Sequence, residues 1–293
     1  MTDTQDSAQG LAYAVGAYVL WGFLPLYLKL IDHIPAIEVV AHRILWSVPI
    51  AFVAVAVMGQ LRTLVPVLHD PRTLAMAALT AALISVNWSV YVYAIATEHA
   101  VEAALGYYIN PLFSVLLGAV VLRERLDTLQ WTAIALAACA VGVLTYDAGR
   151  VPLLGLVLML SFGLYALAKK RLAIGANQGF LLEVLILSIP ALAYVAWLEP
   201  RGQGSFAANP WLLIGCGFVT AVPLMLFAQG ARRLLLSTTG ILQYIAPTMI
   251  LVIAVFVFGE AFGAARAIAF PLIWAALVLY SISLFRKTRP AHG

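Results

Sequence analysis

Residues 102–124, EAALGYYINPLFSVLLGAVVLRE, run apolar for the length of a bilayer crossing. About 20 residues rising 1.5 Å each cover the roughly 30 Å hydrocarbon core. Within the stretch, Tyr107, Asn110 and Ser114 stand at i, i+3 and i+7, which puts their polar tips on one helical face. Pro111 lies mid-span, where it removes a backbone donor and loosens the helix. A polar stripe and a proline in a helix of lipid length point to a helix that lines something.

Ten such stretches fill the 293-residue chain, at about 10–30, 35–58, 73–96, 100–121, 128–146, 151–170, 178–197, 210–231, 237–258 and 264–285. With 63% hydrophobic and 10% charged residues, against about 45–50% and 25% in soluble domains, the chain cannot clothe a water-facing surface. It reads as an all-α integral membrane protein, since Ala, Leu and Val without alternation favour helices over a barrel. Connections are short, leaving no soluble catalytic or nucleotide-binding domain. Cys139 and Cys216 fall inside apolar runs and read as small buried hydrophobes, with no disulfide or metal spacing. The first nine residues hold two aspartates and no Lys or Arg, so no signal-peptide n-region precedes helix 1.

The opening stretch recurs. At an offset of 136, Tyr108, Pro111 and Glu124 fall on Tyr244, Pro247 and Glu260; at 141, Gly22 and Lys29 fall on Gly163 and Lys170, and Ser47 and Pro49 on Ser188 and Pro190. Each half holds five spans, an odd number, so the second enters the membrane inverted. The expected units are a tail at 1–9, repeats at 10–146 and 151–285, and a tail at 286–293. Inverted repeats place a transport site at the midplane between halves. With both termini cytoplasmic, twelve Lys and Arg lie in inner segments and four in outer ones, a strong positive-inside bias.

Polar residues within the spans are the candidate site. Asn87, Tyr107 and Asn110 read as lining, because an amide facing lipid is costly. Trp21, Trp88 and Tyr91 read equally as lining or packing, and Ser114, Ser161, Tyr165, Gln243 and Tyr244 complete the substrate-facing set. Aromatic edges with hydroxyls and amides suit a neutral, zwitterionic or aromatic solute. Pro111 and Pro247 are expected as hinges. Glu38, His42 and Arg43 on helix 2 and Glu183 on helix 7 form either a proton-coupling group or a structural ion cluster. Glu124 and Glu260 read as loop or gate anchors. Helices 5 and 10 are expected outside the transport path, with Ala138 and Gly142 at small-xxx-small spacing that reads equally as a close helix approach or as a lipid-facing stripe.

The strings AIEVVAHRILWS, NWSVYVYA, EAALGYYINPL, RERLDTLQW, LSFGLYALAKK and RLLLSTTGILQYIAPT resemble the RarD-type branch of the drug/metabolite transporter superfamily. The resemblance implies ten helices in two inverted EamA-type repeats, with helices 1–4 and 6–9 around a cavity. It further implies an inner-membrane exporter of small metabolites, amino acids or drug-like compounds. An uncoupled facilitator remains the alternative. An intramembrane enzyme finds no support in HExxH, GxSxG or paired aspartates. No cofactor, metal or nucleic acid is expected; the partners are a small solute and lipid, with a monomer or a weak homodimer through helices 5 and 10.

Overall fold

The computed structural model describes residues 7–62, 64–121, 126–170, 172, 174–231, 233, 234, 238 and 242–288. Helices α1 (Ala8–Lys29), α2 (Ala36–Val57), α3 (Pro71–Ala96), α4 (Ala100–Val121) and α5 (Thr128–Ala148) make up the first half. The second holds α6 (Leu153–Lys170), α7 (Ala176–Leu198), α8 (Pro210–Ala231), α9 (Ile245–Val252) and α10 (Ala264–Thr288). Among the described residues there is no strand, and eight helices are long and apolar enough to cross a membrane. Leu153–Lys169 and Ile245–Val257 are apolar but shorter.

Local signals set several helix ends. Ser7 accepts from Gly10 N at 3.0 Å to start α1, and Asp70 accepts from Arg72 N at 3.1 Å with Pro71 in the first turn of α3. Asp127 and Gln130 form a reciprocal capping box on α5, which ends at Gly149 with φ 60°. Within the expected span at 237–258, α9 covers Ile245–Val252 after a turn at Gln243 and Tyr244 and continues as a π-helix over Ile253–Val257, while 237 and 239–241 lie outside the described residues. Pro247 therefore sits in the first turn, where its missing N–H costs nothing, and does not loosen a mid-span helix. Pro111, by contrast, lies inside a continuous α4.

The helices do not pack as two separate halves. α1 lies against α8 and α9, α6 against α3 and α4, and α2 against α7 and α8. Glycines mark the tightest crossings. A Cβ on Gly22 of α1 would stand 2.6 Å from Met249 Sδ of α9, and one on Gly163 of α6 would collide with the Phe113 ring of α4. α5 and α10 pack along one another, away from the rest except α4. Their interface uses the face of Ala133, Ala137 and Ala140, which are buried. The Ala138–Gly142 pair is exposed and nothing lies within 4 Å of a Cβ at Gly142, so within this chain that pair is not where α5 meets a neighbouring helix. Cys139 shares that exposed side, whereas Cys216 is buried; both are free.

Candidate substrate site

A buried polar cluster joins α3, α4 and α6. Asn87 Nδ2 donates to Ser161 Oγ at 3.0 Å and to Leu158 O at 3.1 Å, and Asn87 Oδ1 accepts from Tyr107 OH at 3.1 Å. The Tyr107 ring meets Tyr91 edge-on at 5.6 Å. Asn87, Tyr107, Ser161 and Tyr91 thus come together from three helices. Two polar groups nearby are left over: Tyr91 OH and Asn110 Oδ1 are buried without a hydrogen-bond partner. A buried polar atom is rarely left so, because its desolvation goes uncompensated.

The other expected residues are more dispersed. Ser114 is exposed and donates back to Asn110 O at 3.0 Å, one turn away on its own helix. Trp21 packs with Tyr18 and Phe227, at 5.6 and 5.7 Å between ring centroids, in a satellite of α1 and α8. Trp88 lies under the Arg43 guanidinium, whose carbon is 5.3 Å from the ring centroid. Gln243 is half-buried, and Tyr244 stacks on Tyr108 at 6.5 Å. Tyr108, which marks the repeat in sequence, is 1% exposed and exchanges a hydrogen bond with Thr248 at 2.7 Å.

The four ionisable residues do not form one cluster. Glu38 accepts from Ser205 N at 2.5 Å and Ser205 Oγ at 3.0 Å, tying α2 to the connection before α8. His42 stacks on Phe206 at 5.3 Å, and neither of its ring nitrogens has a hydrogen-bond partner. Arg43 Nε donates to Thr220 Oγ1 at 2.9 Å. Glu183 pairs with Lys169 at 2.6 Å and accepts from Tyr165 OH at 3.2 Å. Sequence spacing places Glu38 and His42 one turn apart; only the packed neighbours reveal that the carboxylate turns toward a loop instead. Lys169 and Thr220 were missed. Lys169 reads as a topology charge at a span end, and Thr220 as a lone hydroxyl in the apolar run WLLIGCGFVTAVPLMLF.

Carboxylates also stitch the end of the bundle where α1 passes to α2. Glu260 accepts from Ala100 N at 2.6 Å and Val101 N at 2.9 Å, the free donors at the start of α4. Glu102 caps α6 through Leu154 N at 2.9 Å. The anchor reading of Glu260 thus acquires a specific partner, while Glu124 lies outside the described residues. Burial raises the Glu260 pKa above the usual carboxylate range, against the two N–H donors, Arg266 and His99, which lower it. A raised folded-state pKa contributes stability that is present below the unfolded value and lost as pH rises through the folded one. The melting temperature of the wild type minus that of Glu260→Gln, which does not titrate, is therefore expected to fall as pH rises through the mildly acidic range. A difference that grows instead contradicts this.

A groove between α2 and α8, lined by Trp46, Pro49, Val53, Val57, Phe218 and Met225, is almost wholly apolar. Its exposed Val53, Val57 and Phe218 suit acyl chains and not a polar solute.

Three comparisons bear on what such a bundle does. The EamA-like transporter family matches residues 8–146. An uncharacterized transporter of Vibrio cholerae is 41% identical over 96% of this chain and 94% of its own length. Protein RarD of Streptomyces exfoliatus is 42% identical over 100% and 94%, and Protein RarD of Escherichia coli K12 is 38% identical over 95% and 95%. A protein crystal structure shares the fold at a TM-score of 0.60 and 21% identity, covering 97% of this chain and 100% of that one. Identity of this order, sustained along nearly the full length of each relative, makes the chain a multi-pass membrane transporter of the EamA type, belonging to the RarD-like branch of the drug/metabolite transporter superfamily.

Proposed function

We propose that the chain is a secondary transporter of the bacterial inner membrane. In this reading it exports small metabolites, amino acids with aromatic or other hydrophobic side chains foremost, by alternating access between two inverted halves with both termini in the cytoplasm. One observation carries the two-fold reading: the same contact recurs in both halves with the helices exchanged. Gly22 on α1 meets Met249 on α9, and Gly163 on α6 meets Phe113 on α4. The two glycines match at the 141 offset and their partners at the 136 offset. Tyr108 and Tyr244, also matched at 136, stack on each other where α4 meets α9. Two halves that interleave around such a contact can rock about it, exposing a central site to one side and then the other.

The solute site in this reading lies beside the Asn87–Tyr107–Ser161 cluster, with Asn110 and Tyr91 offering their unpartnered groups. The test is uptake of an amino-acid panel into sealed liposomes holding the purified protein, with and without a pH gradient. Asn110→Leu keeps the volume and removes a group that bonds to nothing else in the fold through Oδ1. It is expected to leave the melting temperature nearly unchanged and to weaken solute affinity roughly tenfold, since losing one buried hydrogen-bond partner costs about 1–3 kcal/mol. A fully active Asn110→Leu protein removes Asn110 from the site. Accumulation that ignores the gradient favours a facilitator.

A further inference from the structure

Arg43 is a buried cation without a counter-ion. The residue is 3% exposed, and its Nε hydrogen bond to Thr220 and its approach to the Trp88 ring are both neutral contacts. Nη1 is buried with no partner at all. Among the described residues the ion pairs join Lys29 to Asp32 and Glu98, and Lys169 to Glu183; none reaches Arg43. The titratable groups that face it are Cys216, Tyr107 and Tyr91, neutral near pH 7 in their ordinary state. His42, the preceding residue, is turned onto Phe206. The two buried carboxylates contrast with it: Glu38 and Glu183 both have polar or charged partners.

A guanidinium cannot shed its proton to escape this cost. A charge within a membrane bundle is kept where it meets an opposite charge or a polar pathway. Arg43 borders the predicted solute site: Trp88 lies on its guanidinium, one residue along α3 from Asn87, and Tyr91 presents a second unpartnered group one turn further along. We propose that Arg43 Nη1 binds the carboxylate of the transported solute, with Tyr91 OH as a second donor and the Trp88, Tyr91 and Tyr107 rings against its apolar body. The substrate class is then small aromatic or apolar carboxylates, including amino acids, and neutral or purely cationic analogues bind more weakly. This deepens the transporter reading above and rests on it for the word substrate, but the anion site itself does not depend on transport.

The experiment titrates the intrinsic fluorescence of the purified full-length protein with phenylalanine, phenylalaninamide, 3-phenylpropionate and phenethylamine, in gluconate and in chloride buffer. Counterflow of the same four probes is measured in liposomes. Phenylalanine and 3-phenylpropionate are expected to bind at least tenfold tighter than the amide and the amine, the margin of a charge-assisted hydrogen-bond pair. Arg43→Gln abolishes that preference, and Arg43→Lys retains part of it. Should Arg43→Gln fail to fold, Thr220→Val, which releases Nε but keeps the charge, still weakens both carboxylates relative to the amide. The assignment is overturned if neither carboxylate binds, if acids and amides bind alike, if Arg43→Gln binds the acids as tightly as wild type, or if chloride alone displaces them fully. Tight carboxylate binding without counterflow overturns the transport reading and leaves the Arg43 site standing. Equal counterflow of all four probes does the reverse.

Discussion

Replacing Lys169 by Met is expected to destabilise the protein by about 3–5 kcal/mol, the usual cost of removing one member of a buried ion pair. The Glu183 side chain is 1% exposed, and Lys169 Nζ at 2.6 Å is its counter-ion; Tyr165 OH at 3.2 Å is a neutral donor that cannot replace it. The Gly179 turn of α7 closes over the same ammonium, since a Cβ there would lie 3.0 Å from Nζ. The loss in Lys169→Met is therefore the penalty of a carboxylate stranded between α6 and α7. The double variant Lys169→Met with Glu183→Leu removes both charges and is expected to recover most of the stability, because two apolar side chains replace the pair without stranding either partner. Thermal unfolding in detergent checks both. A single variant that melts within a degree or two of wild type would show that the pair lies in a wetter setting than its burial implies.

Gly106→Val is the second large effect. A Cβ at Gly106 would collide with the carbonyl oxygen of Gly155 and lie 2.9 Å from its Cα, so α4 and α6 touch backbone to backbone at this point. Such close approach is what small residues give membrane helices, whose association gains little from hydrophobic burial. Backbone cannot rotate out of the way as a side chain can, so the cost is expected at or beyond the upper end of the roughly 1–3 kcal/mol seen for overpacking. Two dependent features should fail with it. Glu102 would lose its reach to Leu154 N, and Asn87 would lose register with Ser161. Gly142→Val on α5 is the control: it meets open space and should leave the melting temperature and yield of folded protein unchanged.

The sequence alone decided that this chain is a helical membrane protein, and roughly where most of its helices start. Those properties are local. A lipid-length apolar run must satisfy its own backbone, and caps such as Ser7, Asp70 and the Asp127–Gln130 box act over a few residues. It also selected Asn87, Tyr107 and Ser161 as polar residues in lipid-length helices, because amides and hydroxyls there need partners. Which partners they take was settled only by the tertiary structure. Asn87 and Ser161 are 74 residues apart, Arg43 and Thr220 are 177 apart, and Glu260 caps a helix that starts 160 residues earlier. Apolar faces do not rank such pairings, since Leu against Leu and Leu against lipid are nearly equivalent. Glycine backbones and scattered polar tips do, and they meet only once the helices are laid side by side. For the same reason the Ala138–Gly142 pair proved to face outward from this chain, Pro247 shifted from mid-helix to a first turn, and an arginine read as part of an ion cluster proved to stand without a counter-ion among the described residues.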